Sequence, residues 1–365
     1  MQALEHIDDP RQPSNGTLHD FREILVIAVC AALSDNDTFE EMLAWARYKQ
    51  DWLQRFLMLK HGIPSEETFL RIFRLIDPKQ FETAFRTWTG GILPALDNEQ
   101  LTIDGKTVRG SGRGGRQAIH MVSAFATQAG LVLGQEKVHE KSNEITAIPE
   151  LLEKLHIKGL LVSIDAMGCQ RDIASKICEQ GGDYLLAVKG NQPSLLCAVE
   201  AAFIGAGETQ APHGMAERSH GREVAQWTRV LPAAEHIDGT AWPDCQTLGV
   251  IDSLRQVGDK PGQWERRYYI SSRELSAQAL AHAARAHWGI ENRLHWMLDV
   301  NFGEDASSVR KDYAPENLSL LKKIVLNLTR AVAMGKNGKM SMRIKRKAAA
   351  WDDEVRAQFL GLAPL

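Results

Sequence analysis

The chain has no long hydrophobic run. Its longest, Ile24 to Leu33, falls well short of the ~20 apolar residues a membrane helix needs. The first residues carry Glu5, Asp8 and Asp9 where a secretory leader would be basic, so a soluble, cytoplasmic protein is expected. Cysteine is scarce: the five (Cys30, Cys169, Cys178, Cys197, Cys245) are odd in number, scattered and form no Cys-x-x-Cys. That excludes a disulfide framework and a zinc ribbon. Net charge is also slight, at −3, so no global excess of basic residues marks a partner. What is present is ordinary globular material, 44% hydrophobic and 24% charged over 365 residues, enough for two or three domains.

The charge is unevenly placed. Residues 1–98 hold 10 Lys and Arg against 15 Asp and Glu, whereas residues 305–351 hold 11 basic against 3 acidic. No acidic residue occurs between Glu316 and Asp352, a span that contains Lys322, Lys323, Arg330, Lys345 and Arg346. Such a run is either a solvated face or a phosphate-binding surface. A smaller cluster, Lys106, Arg109, Arg113 and Arg116, surrounds a glycine-rich stretch that lacks the Lys-Ser/Thr ending of a nucleotide loop.

Residues 1–98 read as a helical N-terminal domain. Apolar residues recur at three- and four-residue spacing over Leu18 to Leu33 and Phe39 to Leu57; Ser65 can cap a third helix and Pro78 can open a fourth. Arg71 and Arg74 would be exposed on that third helix, so the domain could read DNA, or else pack or dimerise. From Leu101 the texture changes. Leu101 to Gly105, Ile119 to Thr127 and Leu131 to Val138 predict three successive strands, then a helix over Ile145 to Leu155, a strand over Leu160 to Ile164, a helix near Asp172 to Glu179 and a strand over Tyr184 to Val188. This is an α/β pattern with a mixed sheet. From about 207 to 272 β-type periodicity returns as an expected small inserted sheet. Helices from about Leu275 and from Pro315 to Ala333 follow, then a basic tail over 334–365.

Two strands end alike, Leu-Thr-Ile-Asp104-Gly and Leu-Val-Ser-Ile-Asp165-Ala. Each delivers an Asp beside a small residue that leaves room for something bulky. On neighbouring strands these carboxylates would converge, and a divalent cation would relieve their repulsion. Alternatively, each Asp merely starts a turn. Further on, His287, Glu291, His295 and Asp299 recur every four residues along one helix stripe. Asp104, Asp165 and Glu291 would make an all-oxygen site suited to Mg²⁺ or Mn²⁺ and to two-metal phosphodiester chemistry. A helix-borne zinc or iron site of His287, Glu291 and His295 is the competing reading. Lys106 and Lys189 could each set a cation near a phosphate or be plain surface lysines. Trp227, Trp242 and Trp264 could stack on a DNA base or simply pack in the sheet.

Asp-Gly-Lys-Thr-Val-Arg-Gly (104–110), Ser-Ile-Asp-Ala (163–166), Val-Lys-Gly-Asn-Gln-Pro (188–193), His-Gly-Arg (220–222) and the run His287 to Val300 together resemble the ISAs1-type insertion-sequence transposases, the group that includes H-repeat-associated proteins. Gly-Ile-Pro-Ser-Glu-Glu-Thr-Phe (62–69) and Asp-Pro-Lys-Gln-Phe (77–81) are similar too. The resemblance implies an RNase H-like catalytic domain over 99–333 whose Asp-Asp-Glu triad is Asp104, Asp165 and Glu291. The intervals of 61 and 126 residues leave room for the intervening strands and for the β insertion. It implies two Mg²⁺ or Mn²⁺ ions per site, double-stranded DNA as partner (terminal inverted repeats and target), a homodimer on DNA, and a nucleoid-associated location. Candidate DNA contacts are Lys106, Arg109, Lys189, Asn191, Arg222, His287, Asn292 and His295, with Lys322 and Lys323 in the basic run. Related transposases often carry Tyr, Arg and Lys around the catalytic Glu; here Ala284, His287 and Leu298 stand in those places, so that signature is absent. A catalytically silent DNA-binding relative and an RNase H-like nuclease without strand transfer remain as alternatives.

Overall fold

The computed structural model describes residues 5, 7–13, 17–90, 99–115, 117–139, 142–207, 211–219, 222–258 and 260–362. The expected domain junction at 98/99, Arg116 and the His220-Gly221 pair therefore touch or lie outside the described residues. Five helices come first: α1 (Phe21–Leu33), α2 (Phe39–Tyr48), α3 (Gln50–Leu53), α4 (Glu66–Leu75) and α5 (Pro78–Gly90). Three begin on side chains that accept orphan amides. Asp20 accepts from the Arg22 amide at 2.8 Å, Thr38 and Glu41 form a reciprocal capping box, and Ser65 accepts from the Thr68 amide at 3.3 Å.

A meander of β1 (Gln100–Thr107), β2 (His120–Ala126) and β3 (Leu131–Lys137) follows, then α6 (Glu144–Glu153), β4 (Leu161–Ile164), α7 (Arg171–Glu179), β5 (Asp183–Val188) and α8 (Pro193–Ala206). β4 pairs parallel with both β1 and β5, and β1 pairs antiparallel with β2. This is the mixed RNase H-like sheet. Periodicity does not reveal α8, because its sequence Pro-Ser-Leu-Leu-Cys-Ala-Val-Glu-Ala-Ala-Phe-Ile-Gly-Ala is apolar nearly all round; its markers are Pro193 in the first turn and Gly207 at φ +59° just past the end.

The segment expected as an inserted small sheet joins the edge of the main one. β6 (His213–Ser219), β7 (Arg222–Pro232), β8 (Thr247–Val257) and β9 (Gln263–Ser271) extend the same sheet to nine strands in the order β3-β2-β1-β4-β5-β9-β8-β7-β6. The joint is antiparallel pairing of β9 on β5, from Leu185 opposite Ser271 to Val188 opposite Tyr268. β5 would otherwise offer an open edge, a hazard that β9 removes. Trp242 is buried in this region, while Trp227 stacks on the exposed Trp264 at 5.4 Å.

The chain ends in helices: α9 (Ala277–Ile290), a π-turn (Glu291–His295), α10 (Trp296–Phe302), α11 (Ala314–Ala331), α12 (Met342–Trp351) and α13 (Asp353–Phe359). α6, α7 and α8 cover one sheet face with Ile148, Ile173 and Val199. On the other side α11 shares one continuous core with α1, α2, α4 and α5, through residues such as Ile24, Phe73, Phe85 and Leu321. The N-terminal helices thus pack as part of the main body, and Asn317 locks α4 by donating to the Phe73 and Ile76 carbonyls at 2.9 and 3.0 Å.

The stretch expected as a basic tail also folds back. Arg346 is fully buried: it donates to the Ala32 carbonyl at 2.7 Å and to Asp37 at 2.6 Å, and lies 4.2 Å over the Phe302 ring. Arg356 is likewise buried against Trp45 and Trp52. Both guanidiniums seal helix ends in the core rather than facing a ligand. Arg346→Met should therefore lower stability by about 3–5 kcal/mol, the cost of orphaning a buried ion pair. Arg343→Met, at an exposed position, should stay within about 0.5 kcal/mol in the same denaturant titration.

Candidate active site at the ends of β1 and β4

Along β1 side chains alternate between faces. Leu101 and Ile103 enter the core under α6, whereas Gln100, Thr102 and Asp104 point toward α9. The parallel register sets Thr102 opposite Ser163 and Ile103 opposite Ile164, so Asp104, still within β1, and Asp165, just past the end of β4, come next to each other where the two strands part. Gln100, Thr102, Ser163 and His287 form a buried hydrogen-bonded chain that pins α9 across the sheet, with contacts of 2.8, 3.0 and 3.2 Å at the Ser163 hydroxyl. His287 is thus a packing residue between helix and sheet, and burial pushes its pKa down to about 4.

The π-turn that continues α9 brings Glu291 and His295 to Asp104. His295 Nδ1 lies 3.3 Å from Glu291 Oε2 and 3.7 Å from Asp104 Oδ2. One ligand atom of each lies within 4.8 Å of the others, and this is the sole such group of three among the described residues. The competing zinc or iron triad is not assembled, since His287 stands apart from the other two. Asp165 also stays outside the cluster; its Oδ1 accepts from the Met167 and Gly168 amides at 2.9 and 3.3 Å.

The carboxylates repel one another. Burial first, then the charges of Glu144, Glu291 and Asp165, push Asp104 up to about 7. Asp165 is raised as well, mainly by burial and also by Glu144, against the pull of its two amides and of Lys189. Burial, with nearby Lys323 and Lys106, lowers His295 and favours a neutral imidazole, while Glu291 pulls the other way. Sequence reasoning missed Glu144. It stands at the first turn of α6, and its Oε1 lies 2.6 Å from His120 Nε2. The signal was Gly105: a Cβ there would collide with both Glu144 and His120, so this pair is the bulk for which the small residue leaves room.

The remaining candidates divide by burial. Lys189 and Asn191 are exposed beside Asp165, and Asn191 donates to the Ala166 carbonyl at 2.6 Å. Arg109 is largely exposed and Asn292 is exposed one residue beyond Glu291. Arg222 begins β7. Lys322 and Lys323 do not face solvent: each is 2% exposed, and Lys323 donates to Gln135 Oε1 at 2.7 Å. As DNA contacts they are corrected, because an ammonium sealed beneath α11 cannot meet a phosphate. Burial lowers Lys323 to about 8.

Lys106 is also spoken for. Its ammonium lies 2.8 Å from Asp299, 3.0 Å from Glu304 and 3.1 Å from Asp305, so it ties β1 to the end of α10 instead of reaching DNA. Burial would lower it, but Glu304, Asp299 and Asp305 raise it. Glu304 is the mirror case, raised by burial alone but held below its ordinary value by Lys323, Lys106 and Lys322. Lys106→Met should cost about 3 kcal/mol at neutral pH. A carboxyl lowered in the folded state stabilises it above the unfolded value, here 4.5, and that stabilisation is lost as pH falls. The gap between wild type and Lys106→Met in urea titrations should therefore narrow below that pH.

Comparison with known proteins identifies the family. The family described as "Transposase DDE domain" matches residues 96–328, and "DDE_Tnp_1-associated" matches residues 1–89. "Putative transposase YncI" of Escherichia coli O157:H7 is 42% identical over 96% of this chain and 91% of its own. "H repeat-associated putative transposase YhhI" of Escherichia coli K12 is 39% identical over 99% and 97%. Among solved structures, the piggyBac transposase synaptic complex with hairpin DNA aligns with 99% of this chain and 76% of its own, at TM-score 0.46 and 12% identity. The family match and these full-length relatives place the chain in the DDE transposase family.

Proposed function

We propose that this chain cuts DNA at the ends of its own insertion sequence, of ISAs1 type, and joins the freed 3′ ends to target DNA. The observation that supports it most is the gathering of Asp104, in β1 just past its last pair with β4, with Glu291, on the π-turn, while Asp165 directly follows β4. The donor set fits hard divalent cations, Mg²⁺ or Mn²⁺: carboxylates dominate it, and the charges of Glu144, Glu291 and Asp165 add to burial in pushing Asp104 up. Asp104, Asp165 and Glu291 would hold two such ions, which supply activation of the attacking oxygen and stabilisation of the leaving one.

The protein's own task is then to place the scissile phosphate over these carboxylates. Lys189 and Asn191 on the Asp165 side, and Asn292 beside Glu291, flank the acidic group with exposed polar side chains suited to a DNA backbone. Arg109 projects from the turn after β1 and adds an exposed positive charge 3.7 Å from Asp305. Between β7, β8, β9 and α9 a cavity of about 380 Å³, lined by Arg267, Trp288 and Asn292, opens next to the same helix and offers the DNA an aromatic and cationic wall. Two ends cut together call for a homodimer on DNA, working in the cytoplasm at the nucleoid.

The test is cleavage and joining of DNA that carries the two element ends, with Mg²⁺ or Mn²⁺. Asp104→Asn, Asp165→Asn and Glu291→Gln should each reduce both steps by roughly 100- to 1,000-fold or more while retaining end binding. Cleavage without joined products would make the chain a nuclease, and binding without cleavage in wild type would make it a silent relative.

A further inference from the structure

We propose that His295 is a nitrogen ligand of the divalent cation held between Asp104 and Glu291, so that this site binds Mn²⁺ in preference to Mg²⁺. The proposal rests on the reading of the acidic group as a cation site and adds an unassigned ligand to it.

Three observations carry it. The first is distance: the ligand atoms of Asp104, Glu291 and His295 lie within 4.8 Å of one another. Ligands opposite each other on an octahedral cation with bonds of about 2.1 Å are about 4.2 Å apart, so small side-chain rotations would close the shell. The second is backbone form. Glu291 and His295 are the two ends of a π-turn inserted in an otherwise α-helical run, a form that costs helix geometry and is frequent at functional sites. It sets both side chains against Asp104 of β1 while Leu294 between them fills the core.

The third is what the imidazole does not do. The half-buried His120, by contrast, engages both ring nitrogens, bridging Thr107 and Glu144. His295 is 6% exposed, its Nε2 is buried with no hydrogen-bond partner among the described residues, and the acidic side chains of Asp104 and Glu291 are what its other nitrogen meets. Burial also removes it from the DNA-contact role expected from its sequence position. To offer Nδ1 to a cation the neutral ring would carry its proton on Nε2. An imidazole beside two carboxylates shifts preference away from Mg²⁺, which favours all-oxygen shells, toward Mn²⁺.

The experiment is pulsed electron paramagnetic resonance on the full, untagged chain loaded with Mn²⁺, together with Mn²⁺ and Mg²⁺ titrations. Wild type should show hyperfine coupling from a directly bound nitrogen. His295→Gln and His295→Asn, checked by thermal melting, should keep Mn²⁺ but lose the coupling, with Mn²⁺ affinity falling about tenfold or more and Mg²⁺ affinity falling less. Bound Mn²⁺ without nitrogen coupling in wild type would overturn the proposal even if neither variant folded, as would coupling that survives in the variants. Asp104→Asn separates the two levels. If it abolishes Mn²⁺ binding while wild type shows no nitrogen coupling, the acidic site stands and His295 is not its ligand; if Mn²⁺ binds that variant as it binds wild type, the acidic-site reading falls and takes the proposal with it.

Discussion

The ammonium of Lys106 holds the molecule's chemistry in place. Two residues past Asp104, it sits among Asp299, Glu304 and Asp305 and so fastens the strand that carries one acidic residue to the helical run that carries another. Glu291 is itself 56% exposed and has little packing to fix it, so the position of its helix must be set from either side. One anchor is the Lys106 cluster beyond the π-turn, and the other is the Gln100, Thr102, Ser163 and His287 chain before it. Between these anchors the turn has little freedom except at its side chains, which is what a preorganised site requires.

The rest of the fold supports those anchors. α11 lies against β3 and gathers the N-terminal helices into one core, and the two buried arginines of α12 and α13 close that core from behind. The basic residues of the C-terminal third thus divide into those that make the protein and those left for a ligand. Net charge along the sequence could not separate them, because a buried Arg346 and an exposed Arg343 look identical in a charge count.

Much of the architecture was legible because it rests on local rules. Short β-type apolar runs marked β1 to β5, Ser65 and Pro78 marked helix starts, and the repeated strand-Asp-small pattern pointed to Asp104 and Asp165. What was not legible depends on long-range partners. Periodicity identifies β9 as a strand but does not say that it seals β5, and spacing places His287, Glu291 and His295 on one stripe without showing that His287 turns to Ser163 while the other two meet Asp104. Lys106, Lys322 and Lys323 read as phosphate contacts until Glu304, more than a hundred residues from Lys106, is seen to face them. Glu144 went unnoticed because its importance comes through the hole left by Gly105.

The most direct test of the acidic site is anomalous diffraction from crystals soaked in Mn²⁺. The account predicts a peak bounded by the carboxylates of Asp104 and Glu291, with Asp165 at its border or on a second peak shared with Asp104. A well-occupied peak elsewhere, with these three carboxylates free of metal, would contradict it.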